Sequence, residues 1–182
     1  MSEVYRGRHT ADIEGDFVVF LIGMHVNRPW KVHKWWPVFR SMFGMVKELR
    51  AHPEKGALCS YFALIAGMGP SVVQYWRSFE QLEAFARNTE DPHLPSWRRY
   101  NKAIGSSGDV GIWHETYVVK AGHYETLYGN MPRIGLARAG ALKPVHTKGH
   151  SAARRLGRTT QDQLPAGIRP GAESPRTGPT EG

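Results

Sequence analysis

The sequence predicts an α+β domain built on an antiparallel sheet, and three observations carry that reading. Segments with strand and helix periods follow one another in the order strand, helix, strand, strand, helix, strand, with a further short helix before the last strand. The strands carry apolar side chains in both alternating phases, so both faces of the sheet need cover. All 20 aromatic residues lie between Tyr5 and Tyr128, which places the core there. This order is the split βαβ pattern of a ferredoxin-like domain, whose helices lie on one sheet face. A second copy of the same sheet is the simplest cover for the other face, which makes the expected assembly a homodimer.

The first predicted strand is Phe17 to Val26, short, β-branched and aromatic, bounded by Gly15-Asp16 and Asn27-Arg28-Pro29. From Trp35 the period changes: Trp35, Val38, Phe39, Met42, Val46 and Leu49 recur at spacings of three and four, Pro37 falls in the first turn, and His52-Pro53 closes the helix. Ala57 to Ala66 and Ser71 to Arg77 read as an antiparallel pair about a Gly67-Met-Gly-Pro70 turn. Ser78-Phe-Glu-Gln81 has the form of a capping box, with the Ser hydroxyl accepting from the backbone three residues on and Gln81 reaching back. A short helix through Leu82, Phe85 and Ala86 follows it. Leu94, Trp97, Tyr100 and Ile104 form another helical stripe, Gly105 to Asp109 a loop, and Ile112 to Val119 the last strand, with Tyr124 to Tyr128 as its extension past Gly122.

Of the 182 residues, 41% are hydrophobic, and 24 Lys and Arg stand against 16 Asp and Glu. From Asn130 onward the chain holds nine of those cations and three of the acids, no aromatic residue, and much Gly, Pro, Arg and Thr. Such a segment buries too little apolar surface to offset the ordering of its backbone. The expected organisation is one domain over residues 1–131 and a disordered basic tail over 132–182. Because the charge sits mainly in the tail, it argues against a nucleic-acid-binding fold. The lone Cys59 excludes an intrachain disulfide. Residues 1–16 mix Arg6 and Arg8 with four acids and do not read as a signal peptide. The longest apolar runs fall short of the ~18 residues of a membrane span, so no membrane partner and a cytoplasmic location are expected.

The strong catalytic motifs are missing: no Walker loop, GxSxG, HExxH or CxxC occurs. Gly105, Gly108 and Gly111 precede a strand and read as turn residues. What remains is polar groups set in strands. His25 sits late in an apolar strand, and Trp113-His-Glu-Thr-Tyr117 puts His114 and Thr116 on one face and Trp113, Glu115 and Tyr117 on the other. A histidine so placed serves as a proton acceptor near neutral pH or as an axial ligand to haem iron, and a hydrogen-bonded core histidine is the competing account. Glu115 needs solvent, Arg77 or a histidine as a partner. Asn27 to Trp36 gathers three Trp, His33 and three cations in a strand-to-helix connection that either lines a pocket mouth or anchors the helix. In Tyr75-Trp76-Arg77, Trp76 takes one face and Arg77 the other.

The runs Phe17 to Trp36, Gln74 to Phe85, the segment from His93 to Asn101, and Gly111 to Met131 resemble the small monooxygenase-like family named after the fumagillin-cluster monooxygenase. The resemblance covers about 115 residues and implies a dimeric α/β barrel akin to the antibiotic-biosynthesis monooxygenases. It brings two chemical precedents: cofactor-free oxygenation of electron-rich aromatics or enols, and haem chemistry in related barrels. The leading expectation is a monooxygenase-type oxidoreductase without metal or flavin, acting on a small to medium apolar or aromatic molecule in a cleft between sheet and helices. His25 or His114 is the base, Tyr117 and Asn27 hold the oxyanion, and His33, Trp35, Trp76, Arg77, Trp113 and Glu115 contact the substrate. A haem-binding barrel enzyme and a non-catalytic dimeric ligand-binding protein are the alternatives.

Overall fold

The computed structural model describes residues 3–65, 69–88 and 107–158. Its first layer is a four-stranded antiparallel sheet of β2 (Phe17–Val26), β3 (Ala57–Ile65), β4 (Gly69–Trp76) and β5 (Val110–Val119), in the spatial order β3-β4-β2-β5. With helices α1 (Val32–Ala51) and α2 (Phe79–Arg87) this is the ferredoxin-like arrangement, the two halves of each βαβ unit split by an intervening strand. β2 is central. Val18 lies opposite Trp76 on β4 and Val118 on β5, and Ile22 opposite Val72 and His114.

The alternation in β2 decides the two faces. Val18, Ile22, Met24 and Val26 turn toward the helices, where Met24, Val72 and Val110 meet Val38, Met42 and Val46 of α1. Beside them Val18 and Trp76 meet Leu49 of α1 and Leu82 and Phe85 of α2. Burying an aliphatic or aromatic side chain of this size stabilises a fold by about 1.5–3 kcal/mol each, so these two clusters anchor both helices. α1 begins at Val32, a turn earlier than its period suggests, which puts Pro37 inside the helix. The helix tolerates the missing N–H because its apolar stripe is docked on the sheet. At α2 the Ser78 hydroxyl accepts from the Gln81 backbone at 3.3 Å, as a capping box requires. The reciprocal bond is absent among the described residues, where the buried Gln81 Oε1 has no partner.

The far face of the sheet is where structure and sequence reading part. β1 (Tyr5–Asp12), unrecognised in the sequence, pairs with β6 (Tyr128–Met131) on one side and β7 (Ala141–Pro144) on the other. This three-stranded sheet and the short helix α3 (Leu136–Ala139) bury Ala11, Ile13, Leu136 and Ala137 against Phe17, with Val19, Leu58, Tyr75 and Val119 packed around them. Tyr124 to Tyr128 therefore does not prolong β5. The boundary expected at Met131 also needs correcting: within the expected tail, residues 132–158 are folded, with Val145 buried and a short α4 (Ala152–Arg155) tied to the domain by Arg155 Nε donating to Glu125 at 2.7 Å. Residues 159–182 and the predicted helix through Leu94 to Ile104 lie outside the described residues. Among those described, no helix is long and apolar enough to cross a membrane.

Candidate functional site

Between the helix face of the sheet and the two helices lies a cavity of about 450 Å³. Phe20, Ile22 and Met24 of β2 form its floor, Val38, Met42 and Met45 of α1 one wall, and Phe79, Leu82 and Phe85 of α2 the other. Such a shape, apolar with a few convergent polar groups, is that of a small-molecule site. The polar groups are Ser41, Gln74, His114 and Thr116, with Glu83 and Arg87 at the rim. Ser41 spends its hydroxyl proton on the Val38 carbonyl at 2.6 Å, and Glu83 pairs with Arg87 at 2.8 Å. Gln74 is fully buried. Its carbonyl oxygen accepts from Trp76 Nε1 at 2.9 Å, and its Nε2 donates to Met45 Sδ at 3.7 Å.

His114 reaches this cavity because it stands opposite Ile22 and shares that residue's face. Its ring lies 5.8 Å from that of Phe20 and makes no hydrogen bond among the described residues. The residue is exposed, so its ring nitrogens are open to solvent at the mouth of the cavity. Trp35 packs at the edge of the same core, its Nε1 donating to the Pro29 carbonyl at 2.9 Å.

The other sequence candidates lie elsewhere. His25, Trp113, Glu115 and Tyr117 are on the far face of the sheet. His25 Nδ1 is 2.6 Å from Asn27 Oδ1, and Asn27 Nδ2 donates to the Gly108 carbonyl at 2.9 Å, a local staple joining the ends of β2 and β5. Tyr117 donates its hydroxyl to Glu115, which pushes the phenol's pKa up and leaves it no free proton for an oxyanion. Glu115 is exposed, the solvated alternative among those expected, and its side-chain partner is Tyr117 in place of Arg77 or a histidine. Trp113 lies against Gly23, where a Cβ would stand 2.7 Å from its ring, and its buried Nε1 has no partner among the described residues.

Two expected substrate contacts are not among the residues lining the cavity. Trp76 has no solvent exposure and is part of the core between α1 and α2, and Arg77, one residue past β4, donates to the Glu14 carbonyl at 2.8 Å on the exterior. His33 is exposed in the first turn of α1, and Arg28 and Lys31 of the same connection serve structure. Lys31 bonds both carboxylate oxygens of Asp109 at 3.0 Å and Arg28 reaches it at 3.1 Å, while the Asp109 carbonyl accepts from the Asn27 and Arg28 backbones. The Lys31 ammonium holds the Asp109 carboxyl below the usual carboxylate range. Asp109 was not singled out in the sequence, because an acid in a Gly-Ser loop carries no pattern.

A wider, open hollow of about 560 Å³ lies by α4, lined by Lys148, Arg154, Arg155 and Arg158. Arg155 answers to Glu125 and Lys148 to Asp12, so much of this charge is internally balanced. Among the described residues no three His, Cys, Asp or Glu side chains gather as a metal site needs.

Residues 17–136 match the family described as Monooxygenase af470-like. A protein of Aspergillus fumigatus named Monooxygenase af470 is 31% identical over 159 residues, a match covering 76% of this chain and 56% of that protein. The chain thus spans little more than half the length of the curated relative it matches. Among solved structures, an aldoxime dehydratase in complex with butyraldoxime shares the fold at TM-score 0.58 and 16% identity, over 74% of this chain and 39% of that one. A dimeric ferredoxin-like protein from an uncultured marine organism gives TM-score 0.40 at 12% identity, over 58% of this chain and 96% of its own.

Proposed function

The chain belongs to the Monooxygenase af470-like family, and from that premise we propose that it is a monooxygenase-type oxidoreductase whose substrate, a small to medium apolar or aromatic molecule, binds in the cleft between the sheet and α1 and α2. The observation that carries the reading is His114: an exposed imidazole with no hydrogen-bond partner among the described residues, at the edge of a mainly apolar 450 Å³ cavity.

The reaction needs neither metal nor flavin when the substrate itself supplies the electrons. His114 accepts a proton from an acidic carbon or hydroxyl of the substrate, which raises electron density on the ring. The resulting anion reduces O2. A CH2 group becomes C=O, one oxygen atom enters the substrate, and the other leaves as water with the two hydrogens, so four electrons pass from substrate to oxygen. The apolar walls of Phe20, Met42, Leu82 and Phe85 keep bulk water from the anion.

A haem-dependent enzyme is the second reading, favoured by the same uncommitted imidazole, since a neutral histidine nitrogen aimed into a cavity is the donor that haem iron takes. His114 would hold the iron, and the haem would supply oxidising chemistry. A ligand-binding protein without turnover is the third. Our reading also includes a homodimer: Leu21 and Val73 lie opposite one another on the far face, beyond the part that the β1 layer covers, and both are half-buried. A second copy packed there completes the cover. The buried free Cys59 suits the reducing cytoplasm, where we place the protein.

The test is an absorbance spectrum of the freshly purified chain together with oxygen uptake on anthrone, a compound with a CH2 activated by an aromatic carbonyl. A protein without a Soret band that consumes oxygen with anthrone supports the proposal. A Soret band moves the assignment to haem, and a colourless protein that binds anthrone without oxygen uptake is a binding protein.

A further inference from the structure

Gln74 belongs to the walls of the cleft, yet none of its surface is exposed. An indole N–H only donates, so the bond from Trp76 Nε1 fixes which end of the Gln74 amide is the oxygen and turns its NH2 group the other way. Trp76 cannot follow a movement of that amide, because it is itself fully buried with its ring 5.4 Å from Phe85. The amide is therefore pinned. Its NH2 carries two protons, and the acceptor facing it is the Met45 thioether at 3.7 Å, a weak one. A buried donor answered so poorly is costly to keep. Met45, by contrast, is an unbranched side chain able to swing aside.

We propose that Gln74 Nε2 is a preformed hydrogen-bond donor for an oxygen acceptor on the ligand, a ketone carbonyl or its enolate or phenolate, which takes the place of the Met45 sulfur. This rests on the cleft being the ligand site and names its substrate class. The register gives the class a size. Gln74 on β4 stands opposite Phe20 on β2, Phe20 opposite Thr116 on β5, and His114 is the next residue of β5 on that face. Gln74 and Thr116 are thus two strand spacings apart, and with His114 two residues farther along β5 the Gln74 and His114 backbones stand about 12 Å apart, at ~4.8 Å between neighbouring strands and ~3.4 Å per residue. A fused bicyclic or tricyclic ketone held by its oxygen at Gln74 spans that distance and presents its far ring to the imidazole.

The experiment compares 2-acetylnaphthalene with 2-ethylnaphthalene, similar in shape but only one of them carrying an acceptor, by calorimetric titration of the full chain. The wild-type protein should bind the ketone about tenfold more tightly than the hydrocarbon, the usual worth of one hydrogen bond. Its carbonyl stretch should shift to lower frequency on binding. Gln74→Leu should bind both compounds with the hydrocarbon's affinity and leave the stretch unshifted. Because that substitution also strips Trp76 of its acceptor, Met45→Leu is the second variant: it removes the competing sulfur, leaves the pin intact, and should tighten the ketone severalfold more than it changes the hydrocarbon. Equal binding of both compounds by the wild type, or a ketone preference that survives in Gln74→Leu, overturns the donor and leaves the cleft standing as a ligand site. If the wild type binds neither compound, the cleft itself is refuted and the donor with it.

Discussion

His25 and His114 stand on opposite faces of one sheet. In the antiparallel register of β2 and β5, His114 lies opposite Ile22, which packs toward α1, whereas His25 lies opposite Gly111, three residues farther along β2 and in the other phase. Of the two only His114 faces the cleft, which is why our proposal gives it, and not His25, the acid–base role.

His114→Ala should lower oxygen uptake on anthrone at least a hundredfold, the lower end of what a positioned base contributes, while His25→Ala should stay within twofold of wild type. Kinetics of the two purified variants decide. Turnover that survives in His114→Ala removes histidine from the mechanism.

A chain ending at Met131 should fail to fold stably, since it loses β7 from the edge of β1 and exposes the seat of Leu136, Ala137 and Val145. Each large apolar side chain lost from such a site forfeits about 1.5–3 kcal/mol. A chain ending at Arg158 should melt with the full-length protein. Thermal unfolding of both truncations measures this, and a stable 1–131 fragment would show that the second layer is dispensable.

Gly23→Ala should cost about 1–3 kcal/mol, the usual penalty for an inserted methyl in a packed site. The new Cβ would meet Ser71 Oγ at 2.5 Å and the Trp113 ring at 2.7 Å, and Ser71 is fully buried. Urea denaturation gives the number. No change in midpoint would mean that Trp113 moves away without cost.

Asp12 receives hydrogen bonds from Lys143 and Lys148, which in that order hold its carboxyl down at about 2 against an ordinary 3.8. A carboxylate whose pKa is depressed by folding stabilises the fold at pH values above its ordinary pKa and loses that contribution as the pH falls through the folded value. Stability should therefore drop between pH 4 and pH 2, and Asp12→Asn should flatten that drop at a cost of roughly 1 kcal/mol or less at neutral pH, given the partial exposure of the pair. Denaturation at a series of pH values tests both. An unchanged acid limb in Asp12→Asn would remove this ion pair from the account.

Light scattering at micromolar concentration should give the mass of a dimer, and Val73→Glu, which sets a charge on the open part of the far face, should give a monomer. A wild-type monomer would mean that the β1 layer is all the cover that face requires.

Six elements, β2, α1, β3, β4, α2 and β5, were legible from local signals: Phe17 to Val26 is a short β-branched and aromatic run bounded by turn residues, and Val38, Met42, Val46 and Leu49 recur at three and four. Their order then implied the sheet and a cleft beneath the helices. β1 was not legible, because YRGRHTAD sets polar residues in both phases and buries Ala11 only against Phe17, Leu136 and Ala137. β6, β7, α3 and α4 are four residues long each, too short for any period to show. His114 was legible as a histidine in a strand, but its separation from His25 required the register. Gln74 was hidden for another reason. A glutamine in a strand is ordinarily solvated, and only the closure of α1 and α2 over β4, with Trp76 bonded to its carbonyl and Met45 against its NH2, makes it a buried donor. Local periodicity is a property of neighbours in the chain and is written in the sequence, whereas the environment of a polar group depends on what distant segments place around it, and that was decided by the tertiary structure.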